Sequence, residues 1–213
     1  KGRGAASRLA HRFSVDERAG FDDGWGTLDE ADAAAQAMPA TQVTDELARS
    51  AISRNTSPDV PFTQSINPYR GCEHGCIYCY ARPTHSYLNL SPGLDFETKI
   101  IAKRNIAQLL RHDLGKPGHR PEPIGVGTVT DAYQPVEREL RLTRGVLELL
   151  HETQHPLAII TKSSGVERDL DLLAPMAAQR LASVYVTITT LDAALARTLE
   201  PRAAAPHRRL RTI

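Results

Sequence analysis

Cysteine is scarce in this 213-residue chain: three residues in all, and every one of them lies between positions 72 and 79. Three thiols in eight residues cannot build a disulfide framework, and any pairing leaves one over. A reducing cytoplasm suits them best. The chain also lacks an excess of charge, with 26 Lys and Arg against 25 Asp and Glu. No general basic field draws in nucleic acid, so a nucleic-acid substrate needs a local patch. Nor is there an apolar run of 18 residues, which excludes a membrane-spanning helix. The basic start (Lys1, Arg3, Arg8, Arg12) is followed by no apolar stretch, so it does not read as a secretory signal.

The 41% of hydrophobic residues suffices for a real core, and the length suggests one domain with an extension. The chain begins at Lys1 and stops at Ile213 without a terminator, which reads as a piece of a longer protein. Residues 1–60 are polar and glycine-punctuated, an expected irregular leader in which only Leu28 to Met38 suggests a short helix.

From Phe62 the pattern alternates. Strands are expected at Phe62–Asn67, Ile124–Val129, Leu157–Thr161 and Ser183–Thr190. Helices are expected from an Asp95 cap to Leu114, from Val136 to Thr153, from Val166 to Leu181 with Pro175 kinking or splitting it, and from an Asp192 cap to about Pro201. Four strands, each followed by a helix, imply an α/β fold with parallel strands. Four such units do not close an eight-fold barrel, so residues 61–213 are expected to form an incomplete, TIM-like βα barrel.

The chemistry is concentrated in Gly71-Cys72-Glu73-His74-Gly75-Cys76-Ile77-Tyr78-Cys79-Tyr80. Thiolates select zinc, copper(I) or iron–sulfur clusters. Zinc needs a closed set of four, for which His74 or His85 would be the fourth ligand. An ordinary four-cysteine cluster is excluded by count. A four-iron cluster on Cys72, Cys76 and Cys79 leaves one iron open to a small molecule.

The C-x3-C-x2-C spacing, with Tyr78 before the third cysteine, resembles the radical S-adenosylmethionine superfamily. The flanking Ser65-Ile66-Asn67-Pro68-Tyr69-Arg70 and Tyr80-Ala81-Arg82-Pro83 resemble its branch containing spore photoproduct lyase and an uncharacterised bacterial group. Leu94–Lys99, Thr130–Pro135, Ile160–Ser163 and Glu200–Ala203 are similar to that uncharacterised group. The resemblance implies a 4Fe-4S cluster, S-adenosylmethionine bound at its open iron, reductive cleavage to a 5′-deoxyadenosyl radical, and an electron donor such as flavodoxin or ferredoxin. Sites in such barrels open at the C-terminal ends of the strands. That makes Thr130, Asp131, Lys162 and Thr187 candidate cofactor contacts, Lys162 for the carboxylate, with Tyr78 against the adenine. The bland readings stand beside these: a strand residue for Thr187, a solvated helix start for Lys162, local packing for Tyr78.

Spore photoproduct lyases typically carry a further cysteine near the end of the second strand. Thr128 to Asp131 hold none, and Tyr133 is the nearest substitute. A DNA-repair lyase of the same chemistry and a non-catalytic zinc- or cluster-stabilised module remain the rival functions. The basic run Arg202, His207, Arg208, Arg209 and Arg211 reads either as a phosphate contact or as a solvent-facing helix start. His151 and His155, four apart, are expected to complement the end of one helix.

Overall fold

The computed structural model describes residues 2–13 and 39–213. The suggested helix at Leu28–Met38 lies outside them. Two sheets organise the rest. Four parallel strands, β3 (Gln64–Ile66), β6 (Ile124–Val126), β7 (Leu157–Thr161) and β8 (Ala182–Val186), lie side by side in chain order, with the two-residue β2 (Ser53–Arg54) antiparallel at the outer edge of β3. A smaller sheet carries β5 (Lys99–Lys103) between β1 (Gln42–Glu46), parallel to it, and β4 (Tyr69–Arg70), antiparallel. The fold is mixed α/β with parallel sheets.

The larger sheet is apolar where it meets its helices. In β7, Leu157, Ile159 and Thr161 are buried on one face, as alternation requires. Ile66, Ile124, Val126 and Ile159 pack with Ile106, Leu110, Val146, Leu147 and Leu150 in one cluster. Each such side chain stabilises by roughly 1.5–3 kcal/mol on full burial. Among the described residues no helix is long and apolar enough to cross a membrane.

The expected helix from Asp95 to Leu114 is three elements: α1 (Asp95–Thr98), β5, then α2 (Ile106–Leu114). Lys99-Ile100-Ile101-Ala102-Lys103 alternates, and Ile100 and Ala102 are buried while their neighbours are not. Period two won because β1 supplies a partner, Val43 opposite Ile100 and Thr44 opposite Ile101. Asp95 does not cap a helix; its carboxylate accepts from Ser91 N and pairs with Arg8. The helix expected at Val136–Thr153 breaks into α3 (Glu137–Leu140) and α4 (Leu142–Glu152), with Arg141 at φ 52° between them. Glu137 holds the break, its carboxylate accepting from Thr143 N at 3.0 Å and Arg144 N at 3.3 Å, donors the new helix leaves free.

The helix expected over Val166–Leu181 begins as a 3-10 turn at Ser164–Asp169, and α5 (Leu170–Ala178) runs through Pro175 rather than splitting there. Two strands end early. Gly127 takes φ 82° and turns the chain after Val126, and β8 stops at Val186. Asp192 caps α6 (Ala193–Leu199) as expected, accepting from Ala194 N and Leu195 N. The stretch read as an irregular leader contributes β1 and β2, whose short polar sequences carry no strand period of their own. A last helix, α7 (Pro206–Thr212), carries the basic run.

Candidate functional site

The cysteine loop follows β4 and folds against the chain's own acidic groups. Gly71 and Gly75 sit at φ 79° and 68°, where a side chain is strained. A Cβ at Gly71 would come within 2.8 Å of Phe96 O, and one at Gly75 within 2.7 Å of the Glu97 carboxylate. The close approach these glycines permit is to α1. Cys72 N donates to Phe96 O at 2.9 Å. Glu73 N donates to Gln134 Oε1, whose amide nitrogen returns a bond to Gly71 O. The buried Glu73 carboxylate accepts from Val136 N at 2.7 Å and from the Thr41 hydroxyl at 2.6 Å.

All three cysteines line one cavity of about 240 Å³. Its other wall comes from the ends of β6 and β7, with Thr128, Thr130, Asp131, Thr161 and Lys162 among the lining residues, and Tyr80 and His74 complete it. Thr130, Asp131 and Lys162 are thus brought to the cysteines. Tyr78 and Thr187 are not among the lining residues. The Tyr78 hydroxyl donates to Glu200, lies 3.0 Å from Thr189 Oγ1, and its ring has Lys162 Nζ 5.9 Å from the centroid. Thr187 stands one residue beyond β8, its N donating to Thr161 O at 2.9 Å and its carbonyl accepting from Arg209 at the same distance.

Asp131 is the organising anion of the wall. Its Oδ1 accepts from the Thr161 hydroxyl at 2.7 Å and Tyr133 N at 2.9 Å, and Oδ2 from Lys162 N at 2.7 Å. His74 Nδ1 lies 3.2 Å from Oδ2, a contact of charge and distance rather than an aligned hydrogen bond. Burial alone would raise this carboxyl's pKa, but the His74 charge and the donated bonds win and hold it at about 2. The carboxylate is therefore saturated. It orients Thr161 and the Lys162 backbone, and the Lys162 ammonium adds a cation to the wall.

Burial pushes the Cys72 thiol up, and pushes Cys76 to about 11 against the pull of Lys162. Thiolates at such positions need a cationic partner, which irons or another soft metal supply. Among the described residues no three His, Cys, Asp or Glu side chains converge as ligands of a single ion would. Ligands that each bind a separate iron of a cluster need not converge, so the three-thiol donor set fits the cluster better than a closed zinc site. His85, a possible fourth zinc ligand, is buried against Phe96 with Nε2 at 3.0 Å from Lys99 O. Tyr133 does not reach the cavity; its hydroxyl donates to Asp169 at 2.9 Å. Tyr80 does reach it and donates to Thr128 O.

The basic run is neither an open phosphate patch nor simply solvated. Arg202 pairs with Glu73 at 3.2 Å and Arg208 with Glu167 at 2.6 Å, while Arg209 is fully buried against Glu200 at 2.5 Å. His151 lies in the last turn of α4 as expected, whereas His155 lies past its end, with Nε2 2.9 Å from that of His119. Sequence reasoning carried Glu97, Gln134 and Glu200 only inside resemblance motifs and Arg209 only inside the basic run. It missed their convergence on the cysteine loop, for which polar residues far from it in the chain give no local sign.

No family model matches the chain. It is 43% identical over 154 residues to an uncharacterized protein of Mycobacterium bovis, covering 72% of this chain and 45% of that protein. An uncharacterized protein of Methanocaldococcus jannaschii is 32% identical over 136 residues, covering 64% and 48%. The matched region thus spans less than half the length of these curated relatives. Among solved structures, the fold is that of spore photoproduct lyase. The form complexed with dinucleoside spore photoproduct matches with a TM-score of 0.58 at 15% identity, over 80% of this chain and 46% of that one. A variant with bound AdoMet and the same dinucleoside matches at 0.57 and 16%, with the same coverage. What the solved structures share with this chain is the fold.

Proposed function

We propose that the chain carries the catalytic core of a radical S-adenosylmethionine enzyme whose substrate differs from a thymine photoproduct. One observation carries the reading: Cys72, Cys76 and Cys79 share a cavity with the strand-end residues Thr130, Asp131 and Lys162. A 4Fe-4S cluster held by the three thiolates would supply an open iron and the electron that cleaves S-adenosylmethionine to a 5′-deoxyadenosyl radical. Lys162, aimed by its backbone bond to Asp131, pairs the cofactor's carboxylate. Thr130 offers a hydroxyl now turned to Tyr69 O at 3.4 Å, a bond long enough to yield to a ligand. Tyr78, bonded to Glu200, and Thr187, whose carbonyl accepts from Arg209, lie outside the residues that line the cavity, and no cofactor contact is proposed for them.

The arc β3-β6-β7-β8 is read as part of an incomplete βα barrel whose site opens at the strands' C-terminal ends. A cytoplasmic electron donor such as flavodoxin or ferredoxin would serve it. A DNA-repair lyase is the second reading, favoured by the fold shared with spore photoproduct lyase. Against it, all three thiols of the chain belong to the cysteine loop, and none stands at the end of β6.

Anaerobic reconstitution tests the reading. The expected outcome is about four irons with matching sulfide per chain, lost in Cys76→Ala, and 5′-deoxyadenosine formed from S-adenosylmethionine by the reduced, full-length protein. Stoichiometric zinc without sulfide, or a loaded and reduced protein that forms no deoxyadenosine, overturns it. Efficient repair of thymine photoproducts would promote the second reading.

A further inference from the structure

Two motifs beside the cysteines, Tyr80-Ala81-Arg82-Pro83 and Leu94-Asp95-Phe96-Glu97-Thr98-Lys99, contribute nothing to the cavity wall except Tyr80. They meet behind it. Arg82 donates twice to the carbonyl of Cys76, from Nε at 3.0 Å and from one terminal nitrogen at 2.8 Å. The same nitrogen pairs with Glu97 Oε1 at 2.6 Å, and the other donates to Gly93 O at 3.1 Å. Glu97 has no exposed surface at all. A buried carboxylate must be fully satisfied, and this one takes its remaining bonds from the N-terminal segment: Ala5 N to Oε1 at 2.8 Å and Gly4 N to Oε2 at 2.9 Å.

That segment is tied down along its length. Arg3 donates to Glu97 O, Pro39 O and the Thr41 hydroxyl. Leu94 N donates to Ser7 O, Arg8 pairs with Asp95, and Leu9 N donates to the Ser91 hydroxyl. It crosses the cysteine loop so closely that a Cβ at Gly4 would stand 1.8 Å from Gly75 O. The residue after Gly75 is Cys76.

We infer that Glu97 is a positioning residue for Cys76, acting through Arg82 on its carbonyl and through residues 3–9 as a strap that closes the back of the cysteine loop. Removing the carboxylate's charge frees both arms together. The Cys76 peptide then loses the anchor that fixes where its sulfur points, and the strap lifts. The inference rests on the proposed function only in that Cys76 is to be a cluster ligand; the clamp itself belongs to the polypeptide.

The test therefore starts without the cluster. Alkylation of each cysteine in the folded, cluster-free protein is followed by peptide mass spectrometry at fixed pH. Glu97→Gln is expected to speed Cys76 modification roughly tenfold relative to Cys72, the size of one lost charge-assisted bond. Gly4→Ala, which displaces the strap and leaves the ion pair intact, should reproduce part of that effect. Arg82→Lys keeps the charge opposite Glu97 but cannot reproduce the pair of hydrogen bonds to the Cys76 carbonyl, so it should expose Cys76 while leaving the strap in place. Equal acceleration at Cys72 and Cys76, the mark of general loosening, overturns the inference, as does an unchanged Cys76. The second readout is iron per chain and the cluster's electron paramagnetic resonance spectrum after reconstitution. There Glu97→Gln should shift the spectrum or shed the cluster. Wild-type protein that takes up no iron yet shows the alkylation pattern would refute the proposed function and leave the clamp standing.

Discussion

The two halves of the molecule are held by different forces. Around the larger sheet, Ile66, Ile124, Val126, Ile159, Leu147 and Met176 are almost wholly buried in one apolar cluster. Around the cysteine loop the comparable cluster is Cys72, Ala81 and Phe96, with Cys79 and Val129 at its margin. What shapes the loop is a shell of buried polar groups, Glu73, Glu97, Gln134, Glu200 and Arg209, together with the half-buried Asp131. Apolar burial is non-directional and tolerates repacking, whereas hydrogen bonds fix direction. A loop that must present three sulfurs in a set pattern is better served by the second kind of support, at the cost of vulnerability to any change that leaves a charge unpaired.

Four outcomes would break or sharpen that contrast. The largest is expected at Arg209. Arg209→Ala strands the buried Glu200, which costs roughly 3–5 kcal/mol for a pair of this kind. It also slackens Tyr78, so chemical denaturation should show both a lower midpoint and freer Cys76 and Cys79 thiols. A stable variant with protected thiols would mean that the polar shell is not what shapes the loop. Next comes Ile159→Ala, expected to cost about 2–5 kcal/mol through lost burial and the cavity left behind. Here the cysteines should unfold only with the whole domain. Selective exposure of the loop would show that the halves are coupled.

Third is the effect of Lys162→Ala. It should weaken S-adenosylmethionine binding by roughly 1.5–3 kcal/mol, the value of a charge-assisted hydrogen bond, with the cluster retained. Unchanged affinity by equilibrium titration would return Lys162 to a solvated role.

The smallest is the response to pH of the cluster-free protein. Asp131 has its folded pKa depressed from 3.8 to about 2, so its contribution is present above pH 4 and is lost as pH falls toward 2, by roughly 2 kcal/mol. Cys76 is raised from 9.0 to about 11, so the thiol form favours folding below pH 9 and that advantage is lost as pH rises toward 11. Asp131→Asn should flatten the acid limb and leave the alkaline limb intact. An unaltered acid limb would show that other carboxylates set it.

Much of the apolar half was legible in the sequence, since β7 and the helices around Leu110 and Leu147 advertise their period. The four parallel strands follow from the alternation after Phe62, while their order in the sheet is a finding of the structure. The smaller sheet was not legible. Gln42-Val43-Thr44-Asp45-Glu46 has no apolar alternation, and it is a strand because β5 offers it an edge. Lys99–Lys103 sits between two helical stretches and was absorbed into them by a shared run of isoleucines. That the thiols, Asp131 and Lys162 would line one cavity was readable because strand ends and cysteine spacing are local patterns. The convergence of Glu97 and Glu200 on the loop was not, because a carboxylate's burial is decided by a segment elsewhere in the chain.

The bonds that grip the cysteine loop also span long stretches of chain. Gly4 to Glu97 is 93 residues apart, Tyr78 to Glu200 is 122, and Arg202 to Glu73 is 129. Closing loops of that size carries an entropic cost that local helix and neighbouring-strand contacts avoid, so such bonds form late in folding. During synthesis, Cys72, Cys76 and Cys79 emerge more than a hundred residues before Glu200 and Arg209, the pair that will steady Tyr78 beside them. For that interval the nascent chain presents its sulfurs without the clamp. The timing leaves them open to whatever loads them, and equally to oxidation, until the last partners arrive.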